Sequence, residues 1–218
     1  MGIFKIPMAL CDTLNSTLAK YWWGQTKDEK KIHWINWKKL CNLKGRGGMG
    51  CRDIQAFNLA LLAKQAWILL LNTYSLFFRV YKSRYFPNCS FMDVELGSNP
   101  SYVWRSLWAA REIICEGSKW VYGRTIGVTT HKWLSHKPIF LGEQQPDLMV
   151  KDLIDGDTGQ WDWEKIFDLF AYKTHMEIMS IPLRRNTNQD VLIWKENKSQ
   201  SFTVKSVYRV ALGMKPNT

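Results

Sequence analysis

A glycine-rich stretch directly in front of a long apolar run places the strongest constraint on how this chain can fold. Four glycines stand within residues 45–50, and glycines favour positive φ angles and cost chain entropy inside regular structure. Asp53 follows as a suitable N-cap residue. Beyond it, apolar residues recur at helical spacing, namely Ile54, Phe57, Leu61, Ile68 and Leu71, with Trp67 beside them. The pattern predicts a loop at 45–50 and then a helix that buries this face.

The remaining sequence predicts a mainly α fold with small β-hairpins, of the α+β class. Further helices are expected over residues 8–23, 74–85, 101–115, 148–154 and 163–172, and from Lys205 onward. Alternating patterns predict a short hairpin within Lys119–Trp133 and a strand, turn and strand within Asp190–Val204. We therefore expect a helical domain at residues 1–118 and a smaller mixed α/β segment at 119–218.

Charge is distributed unevenly along the chain. The 218 residues include 30 Lys and Arg against 19 Asp and Glu, a formal net charge of +11. Between Lys20 and Arg52 there are nine cations and two anions, whereas the middle of the C-terminal half is locally acidic. Such a surplus favours polyanionic partners, either nucleic acid or an anionic membrane surface. A solvated lysine face without a partner is the alternative that stays open.

Tryptophans are interleaved with the cations of this basic stretch. Aromatic rings beside Lys and Arg suit single-stranded RNA or DNA, because bases stack on the rings while the cations contact phosphates. The candidate nucleic-acid-binding residues are Lys20, Trp23, Lys30, Lys31, Trp34, Trp37, Lys38, Lys39, Lys44, Arg46 and Arg52, with Trp22 next to them. Since tryptophan is mostly a core residue, burial of each ring is the competing interpretation.

The glycine stretch matches the Gly45-x-Gly47-x-x-Gly50 spacing of a dinucleotide-binding loop, but its context excludes that site. No strand pattern precedes it, and residues 70–72 are Leu, Leu and Asn where an acidic ribose ligand would stand. Two interpretations remain. The loop amides, helped by Arg46 and Arg52, hold a phosphate, or the loop only connects two closely packed helices.

Residues for catalysis or metal binding form no recognisable pattern in the sequence. The Tyr-x-Asp-Asp signature of reverse transcriptases is missing, and Asp155-Gly156-Asp157 fits an acidic surface turn. The five cysteines are scattered and form no Cys-x-x-Cys pair, which is typical of reduced intracellular thiols. We expect no enzymatic activity, no cofactor, no metal site and no small-molecule substrate.

The sequence predicts a soluble protein without a membrane partner. Residues 1–10 include Lys5 and lack the cleavage site of a signal peptide. The apolar face around 59–71 is interrupted by Lys64 and Gln65, and it is expected to be too short to span a bilayer. The compartment stays open among the nucleus, the cytoplasm and an organelle.

Six blocks of residues follow an order that resembles one family of proteins. They are Phe4-Lys5-Ile6-Pro7 with Tyr21-Trp22-Trp23-Gly24, His33-Trp34-x-x-Trp37-x-x-Leu40-Cys41, the glycine loop with Phe57-Asn58-x-Ala60-Leu61-Leu62-Ala63-Lys64-Gln65, Ser83-Arg84-Tyr85-Phe86-Pro87, Ser101-Tyr102-x-Trp104-Arg105-Ser106, and Ile193-Trp194 with Phe202-Thr203-Val204-Lys205-Ser206-Val207-Tyr208. This order resembles plant non-LTR (LINE-type) retroelement polyproteins, in the region between the reverse transcriptase palm and the zinc-binding and RNase H domains. The chain departs from the family between Trp120 and Trp133, where Gly123 lacks the acidic residue of the usual Gly-Asp-Gly turn.

The resemblance implies a helical thumb and connector that grips template and primer while catalysis takes place in another domain. Its expected partners are RNA or DNA and the reverse transcriptase palm domain of the parent polyprotein. Residues 119–218 would then lead into a zinc-binding domain whose ligands are missing from this sequence. A non-catalytic, nucleic-acid-binding fragment is the first interpretation. A degenerate remnant without biochemical function, which would fold poorly, is the alternative.

Overall fold

A computed structural model describes residues 2–121, 126–181, 183 and 191–214 of the chain. Within these ranges the protein is mainly helical and contains a two-stranded antiparallel sheet, which confirms the predicted fold class. The chain divides into two compact units. Unit 1 consists of Met1–Gly117 and Phe202–Thr218, and unit 2 consists of Ser118–Ser201.

Helices and strands follow one another in a simple order. In chain order they are α1 (Met8–Trp22), α2 (Trp37–Leu40), α3 (Ile54–Leu71), α4 (Leu76–Tyr85), α5 (Tyr102–Ala109), α6 (Arg111–Gly117), β1 (Ser118–Val121), α7 (Trp163–Leu169), α8 (Tyr172–Ser180), β2 (Val191–Trp194) and α9 (Val204–Gly213). Two 3₁₀ turns, Lys44–Arg46 and Val150–Leu153, lie between them. The helices predicted at 8–23 and 74–85 are confirmed.

Helix starts coincide with capping side chains. The carboxylate of Asp53 accepts a hydrogen bond from the Ala56 amide at 2.8 Å, and the hydroxyl of Ser101 accepts one from the Trp104 amide at 3.2 Å. Both caps satisfy amides that have no partner inside the helix, and both confirm predicted helix starts. Thr203 caps α9 in the same way, so this helix begins one residue before the predicted start.

One predicted helix is divided in two, and two others are shorter than predicted. The expected helix 101–115 is interrupted at Ala110, whose amide bonds to the Leu107 carbonyl at 3.1 Å in the tighter i to i−3 pattern. The expected helix 163–172 ends at Leu169, because Phe170 is extended with φ −123° and ψ 145°. The helix expected over 148–154 forms only the 3₁₀ turn.

Helix α3 lies at the centre of unit 1 and packs against α1, α4, α5, α6 and α9. Its fully buried residues are Ala56, Ala60, Leu62, Ala63, Ala66 and Leu69. The small alanine side chains let neighbouring helices approach closely. The predicted inward face is wrong, since Ile68 and Leu71 are 37% and 54% exposed. Because large apolar residues lie on several sides of α3, their spacing did not identify the face that packs.

By length and composition alone, α3 meets the criteria for a helix that could cross a membrane. The prediction that this region is too short is therefore wrong. Its 18 residues fall at the lower end of the range that spans a bilayer. Within unit 1, five neighbouring helices pack against it, which is the arrangement of a core helix that is apolar on most sides.

Helix α9 belongs to unit 1 although it follows unit 2 in the chain. It packs against α3 and α6. The Phe202 ring, just ahead of α9, stacks on Trp67 with ring centroids 4.8 Å apart. The predicted segment 119–218 therefore spans parts of both units. Contacts between residues so distant in the chain leave no local pattern in the sequence.

Unit 2 has a hydrophobic core of its own. Its buried residues are Ile126, Val128, Trp133, Leu134, Leu148, Val150, Leu153, Ile166, Phe170 and Ile178. They come from the loops around 126–150, from the 3₁₀ turn and from α7 and α8. The unit thus buries apolar side chains mainly through loops and short helices.

The strands of unit 2 pair differently from the prediction. β1 pairs with β2, with Ser118 opposite Trp194, so its ladder partner lies far along the chain and not within 119–133. The turn of the predicted hairpin, residues 122–125, lies outside the described residues, as does Asp190 in the second predicted strand pair. Residues 201–203 form no strand and lead into α9 instead.

Candidate nucleic-acid interface

The two units differ sharply in net charge. Unit 1 carries nineteen Lys and Arg against eight Asp and Glu, whereas unit 2 carries eleven of each. The whole net charge of +11 therefore belongs to unit 1. Long-range electrostatic attraction to a polyanion would therefore act mainly on unit 1.

The basic stretch runs from the last turn of α1 through the loop 24–36, α2 and the first 3₁₀ turn to the start of α3. The eight candidate cations, Lys20, Lys30, Lys31, Lys38, Lys39, Lys44, Arg46 and Arg52, are all exposed, and so is Lys27. We call these nine residues the basic surface. Lys20 stands in the last turn of α1, and Lys38 and Lys39 stand in that of α2, where the helix dipole favours positive charge.

Lys31 and Arg52 of the basic surface make side-chain contacts within unit 1. Lys31 Nζ lies 3.6 Å from Glu29 Oε2, and both side chains are more than half exposed, so water weakens the attraction. The guanidinium carbon of Arg52 lies 4.8 Å from the centroid of the Phe57 ring. Arg52 is thereby held near the start of α3 by a cation–π contact.

The candidate tryptophans differ in how much solvent reaches them. Trp34 is 77% exposed and Trp22 is 48% exposed, so a ligand can reach either ring. Trp23 and Trp37 are half-buried, and their indole nitrogens lie inside the protein without a hydrogen-bond partner among the described residues. Trp34 therefore offers the widest ring surface of the four.

The loop 24–36, which carries Trp34, is held on both sides of that residue. The imidazole of His33 stacks on the Trp23 ring with centroids 6.0 Å apart, and its Nε2 lies 3.3 Å from Oε1 of Gln25. On the other side, the side chain of Asn36 caps the first turn of α2. Sequence reasoning missed these three supporting residues. Only the cap has a local signal, an Asn directly before a Trp-Lys-Lys-Leu helical turn.

The glycine loop satisfies its own amides. The amides of residues 46–51 all donate to carbonyl groups of residues 40–44. A Cβ atom at Gly48 would stand 2.0 Å from the Asn42 carbonyl oxygen, and Gly47 has a φ of +76°, so both positions require glycine. These amides donate to carbonyl groups of the segment just before the loop and are not offered to a phosphate.

The protein's own groups also occupy the N-terminus of α3. The Asn15 side chain accepts a hydrogen bond from the Ile54 amide at 3.1 Å, and the Tyr208 hydroxyl accepts one from the Asp53 amide at 2.9 Å. Asp53 is itself buried and caps the helix. A phosphate here would meet the Asp53 carboxylate, and the amides of Asp53, Ile54 and Ala56 already donate to side chains of the protein. We therefore interpret the loop as a connector between α2 and α3.

In unit 2, Glu177, His136 and Thr174 make consecutive polar contacts, arranged like the acid, base and nucleophile of a hydrolase triad. Glu177 Oε2 lies 2.7 Å from His136 Nδ1, and His136 Nε2 lies 3.3 Å from Thr174 Oγ1. Thr174 is buried, however, and its hydroxyl accepts a hydrogen bond from the Ile139 amide at 3.0 Å. A nucleophile must reach its substrate. We therefore interpret these residues as a structural link between α8 and the loop 135–139.

The acidic turn of unit 2, at residues 155–158, is held by hydrogen bonds between its own residues. Asp155 accepts hydrogen bonds from the Thr158 hydroxyl at 2.7 Å and the Asp157 amide at 3.0 Å. These bonds hold the pKa of the Asp155 carboxyl below its ordinary value. Over the described part of the chain, no three His, Cys, Asp or Glu side chains group in a way that could hold a metal ion.

Comparisons with known proteins place the chain among plant sequences. No protein-family model matches it, and no solved structure matches it. An uncharacterized mitochondrial protein of Arabidopsis thaliana is 40% identical over 137 residues, which cover 62% of this chain and 86% of that protein. A second Arabidopsis thaliana protein, whose name proposes a ribonuclease H, is 29% identical over 228 residues.

The chain covers very different shares of the two relatives. The alignment with the ribonuclease H-named protein covers 96% of this chain but 36% of that protein, so the chain spans about a third of its length. The uncharacterized mitochondrial protein is matched over most of its length, at 40% identity. The chain belongs to the family of that Arabidopsis thaliana mitochondrial protein.

Proposed function

We propose that this chain is a non-catalytic, nucleic-acid-binding segment of a plant LINE-type retroelement reverse transcriptase. In this proposal, unit 1 contacts the phosphates of RNA or DNA through the basic surface. The observation that carries the proposal is the location of the entire +11 net charge in unit 1, with nine exposed cations between Lys20 and Arg52.

The longer relative supports a role beside a nucleic-acid enzyme. Its name proposes a ribonuclease H, and this chain matches about a third of it. A binding segment joined to catalytic domains in one polypeptide is also what the resemblance to retroelement polyproteins implies. Catalysis would then belong to other domains, and the reverse transcriptase palm would be the second partner of this segment.

The packing of the described residues favours a folded binding protein over a degenerate remnant. Unit 1 is organised around α3, with five helices against it, and unit 2 has its own buried core. A remnant would instead be expected to fold poorly, without a packed core in each unit.

Exposed Lys and Arg residues would bind nucleic acid largely without regard to base sequence. Each phosphate that they neutralise releases condensed counterions, so the logarithm of affinity falls linearly with the logarithm of salt concentration. The slope is about −0.9 per contact for duplex DNA and about −0.7 for single strands. The salt slope therefore counts the phosphate contacts.

The test is a fourfold substitution, Lys30→Gln, Lys31→Gln, Lys38→Gln and Lys39→Gln, in one protein. Affinity for a labelled single strand and for a primer–template duplex is measured by fluorescence anisotropy between about 50 and 200 mM salt, the range that separates phosphate contacts. Loss of four phosphate contacts should flatten the slope by roughly 3 and weaken binding most strongly at low salt.

A matched control removes the same charge from unit 2. The substitutions Lys137→Gln, Lys151→Gln, Lys173→Gln and Lys198→Gln alter four exposed lysines there, and we expect them to leave the slope unchanged. Equal effects of the two variants would contradict the placement of binding in unit 1. Failure of the folded wild-type protein to bind either probe at about 50 mM salt would contradict the function itself.

A further inference from the structure

We infer that Trp34 is a base-stacking residue and that the basic surface takes single-stranded RNA or DNA in preference to duplex. This inference rests on the proposed function, since it assigns the form of nucleic acid that the same surface binds. Three observations carry it: the exposure of the Trp34 ring, the side-chain contacts of His33 and Asn36 on either side of it, and the cations that flank it.

The exposure of Trp34 is unusual for such a large apolar ring. Trp104 and Trp194 are completely buried, whereas Trp34 is 77% exposed, the highest value among the chain's twelve tryptophans, all of which are described. Leaving an indole in water forgoes the free energy that its burial would contribute. A binding partner that covers the ring would recover that free energy.

The ring stands on a short segment that is fixed on both sides. His33, directly before it, stacks on Trp23, and Asn36, two residues later, caps α2. Residues that are already ordered lose less conformational entropy when a ligand binds. Trp34 therefore provides a preorganised surface for a planar partner.

Exposed cations flank the ring along the chain. Lys30 and Lys31 precede Trp34 by four and three residues, and Lys38 and Lys39 follow it by four and five. A ring between cations is the combination that binds a base face and its neighbouring phosphates at once. A net-neutral or apolar partner would use the ring and leave the lysines without a role.

The ring also selects the form of nucleic acid. Inside a duplex each base face is covered by its neighbours, so a protein reaches only base edges and the backbone. In a single strand the bases unstack readily and lie against aromatic side chains. Stacking on Trp34 is therefore available to single strands, while the lysines contact phosphates of either form.

The experiment compares Trp34→Ala and Trp34→Phe with Trp163→Ala. Trp163 is 63% exposed but lies in net-neutral unit 2, beside Glu164, so it controls for the loss of an exposed indole. The probes are labelled oligouridine, oligothymidine and a blunt DNA duplex of equal length, measured by anisotropy. Circular dichroism establishes that each variant is folded.

We expect Trp34→Ala to weaken single-strand binding roughly 5- to 150-fold, the range for one lost stacked base, and to leave duplex binding unchanged. Trp34→Phe should retain part of the single-strand affinity, and Trp163→Ala should retain all of it. The salt slope of Trp34→Ala should equal that of the wild type, because no cation is removed.

Two results with the Trp34→Ala variant would overturn the inference. One is unchanged single-strand affinity in Trp34→Ala, and the other is an equal loss on single strand and duplex. If the fourfold lysine variant flattens the salt slope while Trp34→Ala has no effect, the proposed function stands and base stacking is refuted. If the wild-type protein binds none of the probes at about 50 mM salt, the proposed function and the inference both fail.

Discussion

At the residue scale, the hydroxyl of Tyr208 links α9 to the start of α3. It accepts a hydrogen bond from the Asp53 amide at 2.9 Å and donates one to the Cys51 carbonyl at 3.3 Å. Burial raises the pKa of this hydroxyl above its ordinary value of 10.0. The folded protein therefore favours the neutral form, which is the form that can donate.

Tyr208→Phe should lower the free energy of unfolding by about 1–3 kcal/mol at neutral pH, because the Asp53 amide and Cys51 carbonyl lose their partner. A folded pKa above the unfolded value means that the contribution of Tyr208 is complete below about pH 10 and is lost as pH rises through the folded pKa. The difference between wild type and variant should thus shrink in alkali. Urea denaturation at about pH 7 and pH 11 measures it, and a pH-independent difference would refute this explanation.

Individual residues were predictable from sequence where their role is local. Asp53 and Ser101 each cap a helix by accepting a hydrogen bond from the amide three residues further along the chain, so a short stretch of sequence is enough to predict the cap. The exposure of each tryptophan was not predictable. Trp23 and Trp34 stand in similar basic surroundings, yet Trp23 is half-buried and stacks on His33. That difference depends on how the loop 24–36 folds back toward α1, which spacing alone does not reveal.

At the scale of elements, the contact between α3 and α9 holds the two segments of unit 1 together. Val207 on α9 is completely buried, whereas Lys205 on the same helix is exposed. An Asp placed at each of these two positions distinguishes the effect of burying a charge from the effect of changing the net charge at the surface.

Val207→Asp should destabilise unit 1 by roughly 3–5 kcal/mol, the range for an uncompensated buried charge. Lys205→Asp, the control, changes net charge by more but should shift stability by less than about 0.5 kcal/mol, because it lies on the surface. Chemical denaturation followed by circular dichroism compares the two. Similar stabilities for both variants would show that α9 does not pack on α3 as described.

Secondary structure was predictable from sequence where periodicity and caps agree. The helices from 8, 54, 74 and 101 were expected, and α3 ends where the apolar run ends. The breaks at Ala110 and Phe170 carry no glycine or proline signal. The pairing of β1 with β2 and the packing of α9 on α3 join distant parts of the chain. Local propensity contains no information about such partners.

At the scale of the whole molecule, the two units differ in net charge, and each has its own packed core. Unit 1 carries all of the net positive charge, and unit 2 is neutral overall with a core of its own. The sequence revealed the basic stretch 20–52. The complete separation of charge emerged only because residues 202–218, with Lys205, Arg209 and Lys215, belong to unit 1.

Leu153→Ala tests this division of roles. Leu153 is completely buried in the core of unit 2, so its truncation should destabilise that unit by about 2–5 kcal/mol. Nucleic-acid affinity and its salt slope should stay at wild-type values under conditions where the variant is folded, because the basic surface belongs to unit 1. Loss of affinity in the folded variant would assign unit 2 a part in binding.

Unit 1 is formed by two segments that are separated in the chain by all of unit 2. This arrangement determines the order in which the units can fold during synthesis on the ribosome. Domains generally fold as they emerge, with the N-terminal one first. Here α9 is synthesised after all of unit 2, so α3 has emerged long before the helix that packs on it. Unit 2 can therefore complete its core first, while nascent unit 1 exposes apolar surface and is the segment that chaperones would meet.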